Sequence, residues 1–333
     1  ISWTTSWRAA NLAIQRNHHP VQAAVKRIQS KGRRLVDQPK KPKPSQAYSS
    51  PFRTHDLRCG GQVVSFSEPQ LMGVLNITPD SFSDGGMLFD GETVRLDAVR
   101  IQASAMVKAG ASILDIGGES SRPGAQAVSS QEEQRRVLPV LEALSDLGAV
   151  LSVDTYHAQT VRAAIRHGAG MINDITAGRD AEVVTAVADS NVAYALMHMQ
   201  GSPQTMQKAP TYTDVVSDVS GYLAERFQLC QNAGIDADRL LVDPGFGFGK
   251  SLEHNLALLR NLPATRVGTC PLLVGLSRKS MIGLVTGQPV DARLSGSLAA
   301  LMLAVQNGAD LIRVHDVQES ADVLRMLAAY RTG

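Results

Sequence analysis

Eight short apolar segments recur along the chain after residue 56, and amphipathic stretches long enough for helices alternate with them. This alternation is typical of repeated βα units, in which parallel strands form a sheet that helices cover. Eight units in roughly 265 residues match the count and size of a closed (β/α)8 TIM barrel, and an open doubly wound sheet is the alternative fold. The predicted strands are residues 71–75, 112–116, 149–153, 170–174, 192–197, 239–242, 271–276 and 310–314.

Two further segments complete the predicted barrel domain, residues 57–333. A hairpin-like segment, residues 57–66, precedes the first strand and would cap the N-terminal end of the barrel. Residues 213–232 are predicted to form a helix, because their apolar side chains follow a helical period and Gly234 supplies a stop signal.

Residues 1–56 are predicted to be a basic, mostly disordered extension. Residues 1–58 carry twelve Lys or Arg and two acidic residues, and no sustained periodicity follows Leu35. Three roles stay open: an organelle-targeting presequence, a nonspecific anion-binding arm, or a gene-boundary artefact, since the chain begins with Ile. A dispensable extension is the preferred interpretation, because chain termini tolerate change.

Charge and cysteine content exclude several classes of function. After residue 58 the chain carries 21 basic and 29 acidic residues, so it is a poor polyanion binder and no nucleic-acid partner is expected. No run of about 18 apolar residues occurs, so no membrane span is expected. Three widely separated cysteines argue against a disulfide framework and a thiolate metal site, and they favour a reducing, cytoplasmic location.

Polar side chains lie in or just after each of the eight predicted strands. In a barrel the C-terminal strand ends converge on one rim, which is where barrel enzymes place their sites. Burying so many polar groups without a use would be costly, so this rim is the candidate site. The rim residues are Asn76, Asp115, Glu119 to Arg122, Asp154, Asn173, Asp174, His198, Asp243, Ser277 to Ser280, Arg313 and His315.

The rim residues form two chemical sets. The first can bind a phosphate or diphosphate through charge-assisted hydrogen bonds. Its members are Asn76, Ser121, Arg122, Arg313 and His315. The second offers mixed donors and acceptors that would match the amino and carbonyl edges of a polar heterocycle. Its members are Asp154, Asn173, Asp243 and Lys279. Together the two sets predict a ring that bears a diphosphate leaving group.

The glycine-rich segment 245–251 resembles a nucleotide phosphate loop but lacks the required glycines. Pro244 stands where the phosphate loop needs its first Gly, and Lys250 stands where a dinucleotide motif needs its third. Nucleoside triphosphate binding is therefore not expected. The glycines are instead predicted to let Phe246 or Phe248 close against a flat ligand.

Eight motifs occur in order at the strand ends, and each is weak alone. Together they resemble bacterial dihydropteroate synthase, of the pterin-binding barrel group, over residues 57–333. The motifs are LNITPDSFSDGG at 75–86, GGESSRPGA at 117–125, SVDT at 152–155, INDI at 172–175, HMQG at 198–201, DPGFGFGK at 243–250, SRKS at 277–280 and RVHD at 313–316. In the second motif Ser121 stands where the family commonly has Thr, and a modest effect on substrate affinity is expected.

The resemblance implies a transferase of folate biosynthesis that is a target of sulfonamides. It would condense (7,8-dihydropterin-6-yl)methyl diphosphate with 4-aminobenzoate to give 7,8-dihydropteroate and diphosphate, with Mg2+ assisting. A cytoplasmic homodimer is implied, while the response of this chain to sulfonamides stays open. An aromatic amine is already neutral at pH 7, so no Ser or Cys nucleophile is expected and substrate positioning should dominate.

The resemblance also assigns individual residues. The pterin contacts are Asp154, Asn173, Asp243 and Lys279. The diphosphate contacts are Asn76, Ser121, Arg313 and His315, with Asn76 also near Mg2+. The 4-aminobenzoate contacts are Phe82, Arg122, Pro123 and Ser280. The catalytic residues are Asp84, Arg122 and Lys279, of which Asp84 would stabilise a methylene cation on the pterin.

Two alternative functions stay open. A pterin-dependent methyltransferase would share the pterin contacts but would have no use for Arg313 and His315. A noncatalytic pterin-binding paralogue should have lost its loop chemistry, whereas Asp84, Arg122 and Lys279 are present.

Three other polar residues have competing interpretations. Asp115 is predicted mainly to tie loops to the rim. His198 is either a histidine of the barrel wall or a substrate contact. His157 lies in a helical stretch and is treated as a surface residue.

Overall fold

The computed structural model describes residues 55–78, 88–90, 93–121 and 124–332. Except for His55 and Asp56, the predicted extension of residues 1–56 lies outside these residues. The strands are β1 (Leu57–Cys59), β2 (Gln62–Val64), β3 (Gln70–Asn76), β4 (Phe89–Asp90), β5 (Thr93–Val94), β6 (Ala111–Gly117), β7 (Val150–Asp154), β8 (Met171–Asp174), β9 (Ala193–Met197), β10 (Leu240–Asp243), β11 (Leu273–Val274) and β12 (Leu311–Val314).

Eight of these strands form one parallel sheet that closes on itself. Its strand order is β10-β9-β8-β7-β6-β3-β12-β11. The two ends meet where Val242 bridges Leu272 in parallel and donates its backbone N–H to the carbonyl oxygen of Pro271 at 3.0 Å. The predicted (β/α)8 barrel is therefore confirmed, and the open doubly wound alternative is wrong.

The eight predicted strands are confirmed, but the seventh is much shorter than expected. Residues 271–276 were predicted, whereas β11 covers two residues. Pro271 has no N–H to donate, and the N–H of Leu272 bonds to the Asp310 carboxylate at 2.7 Å rather than to a strand. Because neither residue donates a backbone hydrogen bond to a neighbouring strand, the strand is short.

Helices follow the strands around the outside of the barrel. They are α1 (Leu96–Ala109), α2 (Ser130–Leu144), α3 (Ala158–Arg166), α4 (Ala181–Ala188), α5 (Val215–Asn232), α6 (Leu252–Arg260), α7 (Ser280–Thr286), α8 (Leu294–Gln306) and α9 (Val317–Thr332). The predicted helix 213–232 is confirmed as α5. Asp214 caps it by accepting the N–H of Ser217 at 2.9 Å, and Gly234 follows with a φ of 93°. No helix of the described residues is long and apolar enough to cross a membrane.

The N-terminal end of the barrel is filled with apolar side chains. The predicted hairpin is confirmed as the antiparallel pair β1–β2. Its buried Leu57, Cys59 and Val64 pack in one cluster with side chains from the barrel strands, such as Met72 and Leu311. Because this end is closed by the hairpin, the polar strand ends at the opposite rim are the part of the interior left for a ligand.

Candidate active site

One row of residues crosses four neighbouring strands at the rim. The parallel register pairs Asn76 with Gly117, Gly117 with Asp154, and Asp154 with Asn173. Paired residues of neighbouring strands project to the same face of a sheet. A Cβ atom at Gly117 would lie 3.9 Å from Oδ1 of Asn76 and 3.8 Å from Cβ of Asp154, so the glycine leaves open the space between them. The register thus brings together three residues that separate motifs predicted.

Arg313 connects two acidic residues of this site. Its Nε donates to Asp115 at 2.6 Å, and its Nη2 donates to Asp154 at 2.8 Å. Asp115 is completely buried and also accepts hydrogen bonds from Ser152 Oγ at 2.7 Å and Asn173 Nδ2 at 3.0 Å. The structure therefore places Arg313 against the predicted pterin residues, and its contact with a diphosphate stays a prediction. The role of Asp115 reaches beyond tying loops, because it orients both Arg313 and Asn173.

Burial controls the protonation of the site. It raises the pKa of Asp154, which the Arg313 guanidinium opposes and the Asp115 carboxylate reinforces. It also raises the pKa of Asp243, while the Lys279 ammonium opposes the change. Burial lowers the pKa of Lys279 to about 8, with Asp243 opposing. The site thus holds a lysine whose charge changes close to physiological pH.

The last two residues of β8, Asn173 and Asp174, have different roles. Asn173 faces Asp115, as described above. The next residue, Asp174, is fully buried and accepts the N–H and Oγ1 of Thr176 and the N–H of Gly178, each at 2.7 Å. It also accepts the Tyr194 hydroxyl at 2.6 Å. Asp174 therefore shapes the loop after β8 and leaves Asn173 as the residue available to a ligand.

Lys279 lies between the glycine-rich turn and β11. Its Nζ donates to the carbonyl oxygen of Phe246 and lies 4.7 Å from the centroid of the Phe248 ring. A Cβ atom at Gly275 would lie 3.9 Å from Nζ of Lys279 and 3.8 Å from Cβ of Arg313. The absence of a side chain at Gly275 therefore lets the two cations share the mouth of the barrel, so the two predicted chemical sets form one site.

Three further predicted contacts that the structure describes, His315, Ser280 and Ser121, lie along the same rim. His315 contacts the Ser277 hydroxyl with its Nδ1 at 3.0 Å and its backbone N–H at 3.3 Å, which fixes the ring. Ser280 is exposed at the first residue of α7, and Ser121 is half-buried in the loop after β6. The residues predicted from the two long loops lie outside the described residues, and their roles stay predictions. They are Phe82, Asp84, Arg122 and Pro123.

The sequence interpretation placed Glu119 at the rim but did not predict its partners. Glu119 accepts the Tyr156 hydroxyl at 2.9 Å, and its second oxygen lies 2.9 Å from Nε2 of His157. His157 precedes α3 and is partly buried, so its treatment as a surface residue was wrong. One donor atom each from Glu119, Glu133 and His157 lie within 4.8 Å of one another. Because Glu119 and His157 already pair and Thr155 donates to Glu133 at 2.8 Å, we describe this group as a structural anchor.

This anchor should make the stability of the fold depend on pH. The Glu119 hydrogen bond raises the pKa of His157, and burial opposes it. A raised folded-state pKa stabilises the fold below the unfolded pKa of about 6.5, and the contribution disappears as pH rises through the folded value. His157→Gln should therefore lower the free energy of unfolding by about 1 kcal/mol at pH 5.5 and by less than half of that at pH 9, measured by urea denaturation. Equal losses at both pH values would contradict the charged pair, and Glu119→Gln should remove the same pH dependence.

His198 and Lys250 form a buried pair behind the rim. Nζ of Lys250 lies 2.9 Å from Nδ1 of His198, and the backbone N–H of His198 donates to the Asp243 carbonyl oxygen at 2.9 Å. The His198 ring meets that of Tyr222 edge-on at 5.0 Å between centroids. Burial lowers the pKa of His198 to about 3, with Lys250 adding to the effect. These contacts give His198 the character of a satisfied histidine of the barrel wall. In sequence, Lys250 stands out only as the residue that breaks the dinucleotide motif.

Comparison with known proteins identifies the family to which the chain belongs. A family model described as "Pterin binding enzyme" matches residues 72–315. The chain is 47% identical to dihydropteroate synthase of Escherichia coli (strain K12) over 270 residues, which are 81% of this chain and 94% of that protein. It is 45% identical to the Haemophilus influenzae enzyme over 274 residues, covering 82% and 98% of the two chains.

Solved structures agree with the sequence relatives. The Yersinia pestis dihydropteroate synthase in a sulfonamide drug complex superposes with a TM-score of 0.79 at 44% identity, covering 84% of this chain and all of that one. The Burkholderia cenocepacia enzyme complexed with 7,8-dihydropteroate gives a TM-score of 0.75 at 44% identity, covering 84% and 98%. The family model spans most of the barrel, and the relatives match nearly over their full length. The chain therefore belongs to the dihydropteroate synthase family of pterin-binding enzymes, which are transferases.

Proposed function

We propose that the chain condenses (7,8-dihydropterin-6-yl)methyl diphosphate with 4-aminobenzoate to give 7,8-dihydropteroate and diphosphate. The observation that carries the proposal is the linked group of Asp115, Asp154, Asn173 and Arg313, with Lys279 beside it, at the open end of the barrel. Further support comes from the relatives, since one solved structure contains 7,8-dihydropteroate and another, from Xanthomonas albilineans, contains 4-aminobenzoic acid.

The pterin ring matches the donors and acceptors of the barrel mouth. The Asp243 and Asp154 carboxylates accept hydrogen bonds from the amino and ring N–H groups of the pterin, while Lys279 donates to its carbonyl edge. Asn173 donates one amide hydrogen to Asp115, and its amide oxygen remains to accept from the ring. Phe248, beside Lys279, supplies an apolar surface next to this polar set.

The diphosphate is assigned to Asn76, Ser121, Arg313 and His315. Arg313 keeps its guanidinium at the mouth through Asp115 and Asp154, and Ser277 fixes His315 at the neighbouring strand end. Asn76 is assigned to Mg2+, because it supplies an amide oxygen at the end of β3 beside the diphosphate residues, and Mg2+ prefers a few protein oxygens combined with water and substrate phosphates. When bound there, Mg2+ would neutralise charge on the departing diphosphate.

The 4-aminobenzoate is assigned to Phe82, Arg122, Pro123 and Ser280. Of these the structure describes Ser280, whose position at the start of α7 offers backbone N–H groups to a carboxylate. A sulfonamide carries a similar aromatic amine, and the Yersinia pestis relative is described in a sulfonamide drug complex. We therefore expect sulfonamides to compete with 4-aminobenzoate at this place.

The reaction requires positioning more than activation. The C–O bond between the pterin methylene carbon and the diphosphate breaks, and the bonding electrons leave with the diphosphate. The amine nitrogen bonds to the same carbon and then loses one proton. Arg313 and His315 stabilise the departing charge, and Asp84 is assigned to the positive charge that develops on the methylene group. Lys279 orients the ring, while Arg122 holds the amine substrate against it.

The two alternative functions have less support. A methyltransferase that carries a methyl group on a pterin has no diphosphate to stabilise, yet Arg313 and His315 lie together with the pterin residues. A noncatalytic paralogue has no need for the buried pairing of Arg313 with two carboxylates, which costs desolvation of all three charges. Moreover, the relatives with the coverage reported above are all described as dihydropteroate synthases.

We also propose that the chain forms a homodimer in the cytoplasm. Large apolar side chains stand exposed on three consecutive C-terminal helices, which supports a protein partner there. They are Leu284 and Val285 of α7, Met302 and Leu303 of α8, and Met326 and Tyr330 of α9. A mass of twice the chain mass by light scattering is expected, and a monomer would reject the dimer. The buried free thiols of Cys59, Cys230 and Cys270 support a reducing compartment.

Release of diphosphate tests the proposed reaction. Purified protein with Mg2+, the pterin diphosphate and 4-aminobenzoate should release diphosphate, and omission of either substrate should reduce release to background. A coupled enzymatic assay for diphosphate measures the rate. Release that is independent of 4-aminobenzoate would reject the condensation in favour of hydrolysis.

A further inference from the structure

Lys250 is a buried lysine that the proposed reaction does not use. Only 3% of the surface of Lys250 is exposed to solvent. Its Nζ donates to the carbonyl oxygens of Gly245 at 2.9 Å and Phe248 at 3.0 Å, and it lies 2.9 Å from Nδ1 of His198. The carbonyl oxygen of His198 is a further acceptor at 3.4 Å. All of these partners are polar atoms of the protein, so Nζ is turned inward and is not available to a phosphate group.

Two partners of Lys250, the carbonyl oxygens of Gly245 and Phe248, belong to a tight turn, residues 245–249. A Cβ atom at Gly245 would lie 1.9 Å from the carbonyl oxygen of His198, and one at Gly249 would lie 2.7 Å from that of Gln200. Both glycines also have positive φ, at 69° and 64°. The backbone of the turn is thus pressed against the segment after β9. Its inward carbonyl oxygens, those of Gly245 and Phe248, accept hydrogen bonds from Nζ of Lys250, and that of Gly245 also accepts the N–H of Phe248 at 3.1 Å.

The outside of the same turn faces the pterin residues. The carbonyl oxygen of Phe246 accepts from Nζ of Lys279, and the Phe248 ring lies 4.7 Å from that atom. The N–H of Gly245 donates to Oδ1 of Asp243 at 2.7 Å. The turn 245–249 therefore contacts both Asp243 and Lys279. Lys250 contacts the inner face of the same turn.

From this geometry we infer that Lys250 is a positioning residue of the pterin subsite: it fixes the turn 245–249 so that Asp243 and Lys279 converge on the ring. The inference rests on the proposed function for the identity of the ligand. Lys250 itself does not touch the substrate. Its loss leaves the Phe248 carbonyl oxygen without the donor that Lys250 supplies, while the Gly245 carbonyl oxygen keeps the N–H of Phe248 at 3.1 Å. The turn then relaxes toward water, which carries Phe246 and Phe248 away from Lys279.

Replacement of Lys250 by Met tests this role, because Met keeps the apolar stem and removes the donor. The dissociation constant for the pterin diphosphate, measured by calorimetry, should rise about ten-fold. KM for 4-aminobenzoate should stay within about two-fold, since Lys250 has no contact with that end of the site. The pH at which pterin affinity falls should also increase, because burial is what lowers the pKa of Lys279 to about 8. Lys108→Met, on the exposed end of α1, is the matched control and should change none of these values.

Other outcomes would overturn the inference. A lower melting temperature with an unchanged pterin dissociation constant would show that Lys250 has a purely structural role. An equal rise in the pterin dissociation constant and in KM for 4-aminobenzoate would show that Lys250 does not act on the pterin subsite in particular. If Lys250→Met does not fold, His198→Phe removes one partner of Nζ and keeps the ring, and it should raise the pterin dissociation constant about three-fold. An unchanged constant in that variant would also reject the inference. Wild-type protein that binds the pterin diphosphate without turnover would reject the proposed function alone.

Discussion

Arg313→Met should lower the free energy of unfolding by about 3–5 kcal/mol and reduce turnover to background. The guanidinium pairs with Asp115 at 2.6 Å and with Asp154 at 2.8 Å, and the Asp115 side chain has no exposed surface. Without Arg313 two carboxylates share a buried space with no cation between them. The loss should be measured by urea denaturation and by the diphosphate assay.

The pH dependence of this variant distinguishes lost charge from lost packing. Without the cation, the folded-state pKa of Asp154, which burial already raises, rises further above its unfolded value of about 3.9. Protonation then stabilises the fold, so the variant should be closest to wild type near pH 5 and should lose stability as pH rises. A deficit that is independent of pH would contradict the ion-pair explanation. Arg162→Met removes an exposed ion pair with Glu182 and should change stability by less than about 1 kcal/mol.

Lys279→Ala should weaken binding of the pterin diphosphate by about 1–3 kcal/mol, which is roughly 5- to 150-fold. The physical reason is the loss of a partly buried cationic donor at the carbonyl edge of the ring. Calorimetric titration measures the constant directly. An unchanged dissociation constant would remove Lys279 from the pterin site.

Lys279 should also give the wild-type protein a characteristic pH profile. Because burial lowers its pKa to about 8, the charged donor is present below that pH and is lost above it. Pterin affinity should therefore fall between pH 7 and pH 9 in the wild type and stay nearly flat over this range in Lys279→Ala. A parallel fall in both proteins would assign the titration to another group.

Much of the barrel could be predicted from the sequence because its strands are buried on both faces. Each apolar run is a strand, and each run ends in polar residues at the same rim, so local patterns locate Asn76, Asp154 and Asn173 without knowledge of their partners. The seventh strand differed because its hydrogen bonds depend on Pro271 and on Asp310, which lies 39 residues further along the chain. Such a contact leaves no periodic signal.

The internal pairing of the site could not be predicted in the same way. Arg313 was grouped with phosphate ligands by its charge, yet its described partners are Asp115 and Asp154, about two hundred and one hundred sixty residues earlier. Lys250 was compared with a motif, and its inward orientation follows from the fold of the turn. His157 is interpreted from its place near a helix, whereas its partner Glu119 lies in the loop after β6. Arg313, His157 and, through His198, Lys250 each have a partner at least 38 residues away, which a single sequence does not reveal.

The identity of the product tests the central claim most directly. Purified protein should be incubated with the pterin diphosphate, 4-aminobenzoate and Mg2+, and the reaction products should be separated and identified by mass spectrometry. The expected result is 7,8-dihydropteroate in equal amount to the released diphosphate, with neither formed when one substrate is omitted. Folded wild-type protein that binds the pterin diphosphate but forms no dihydropteroate would contradict the account.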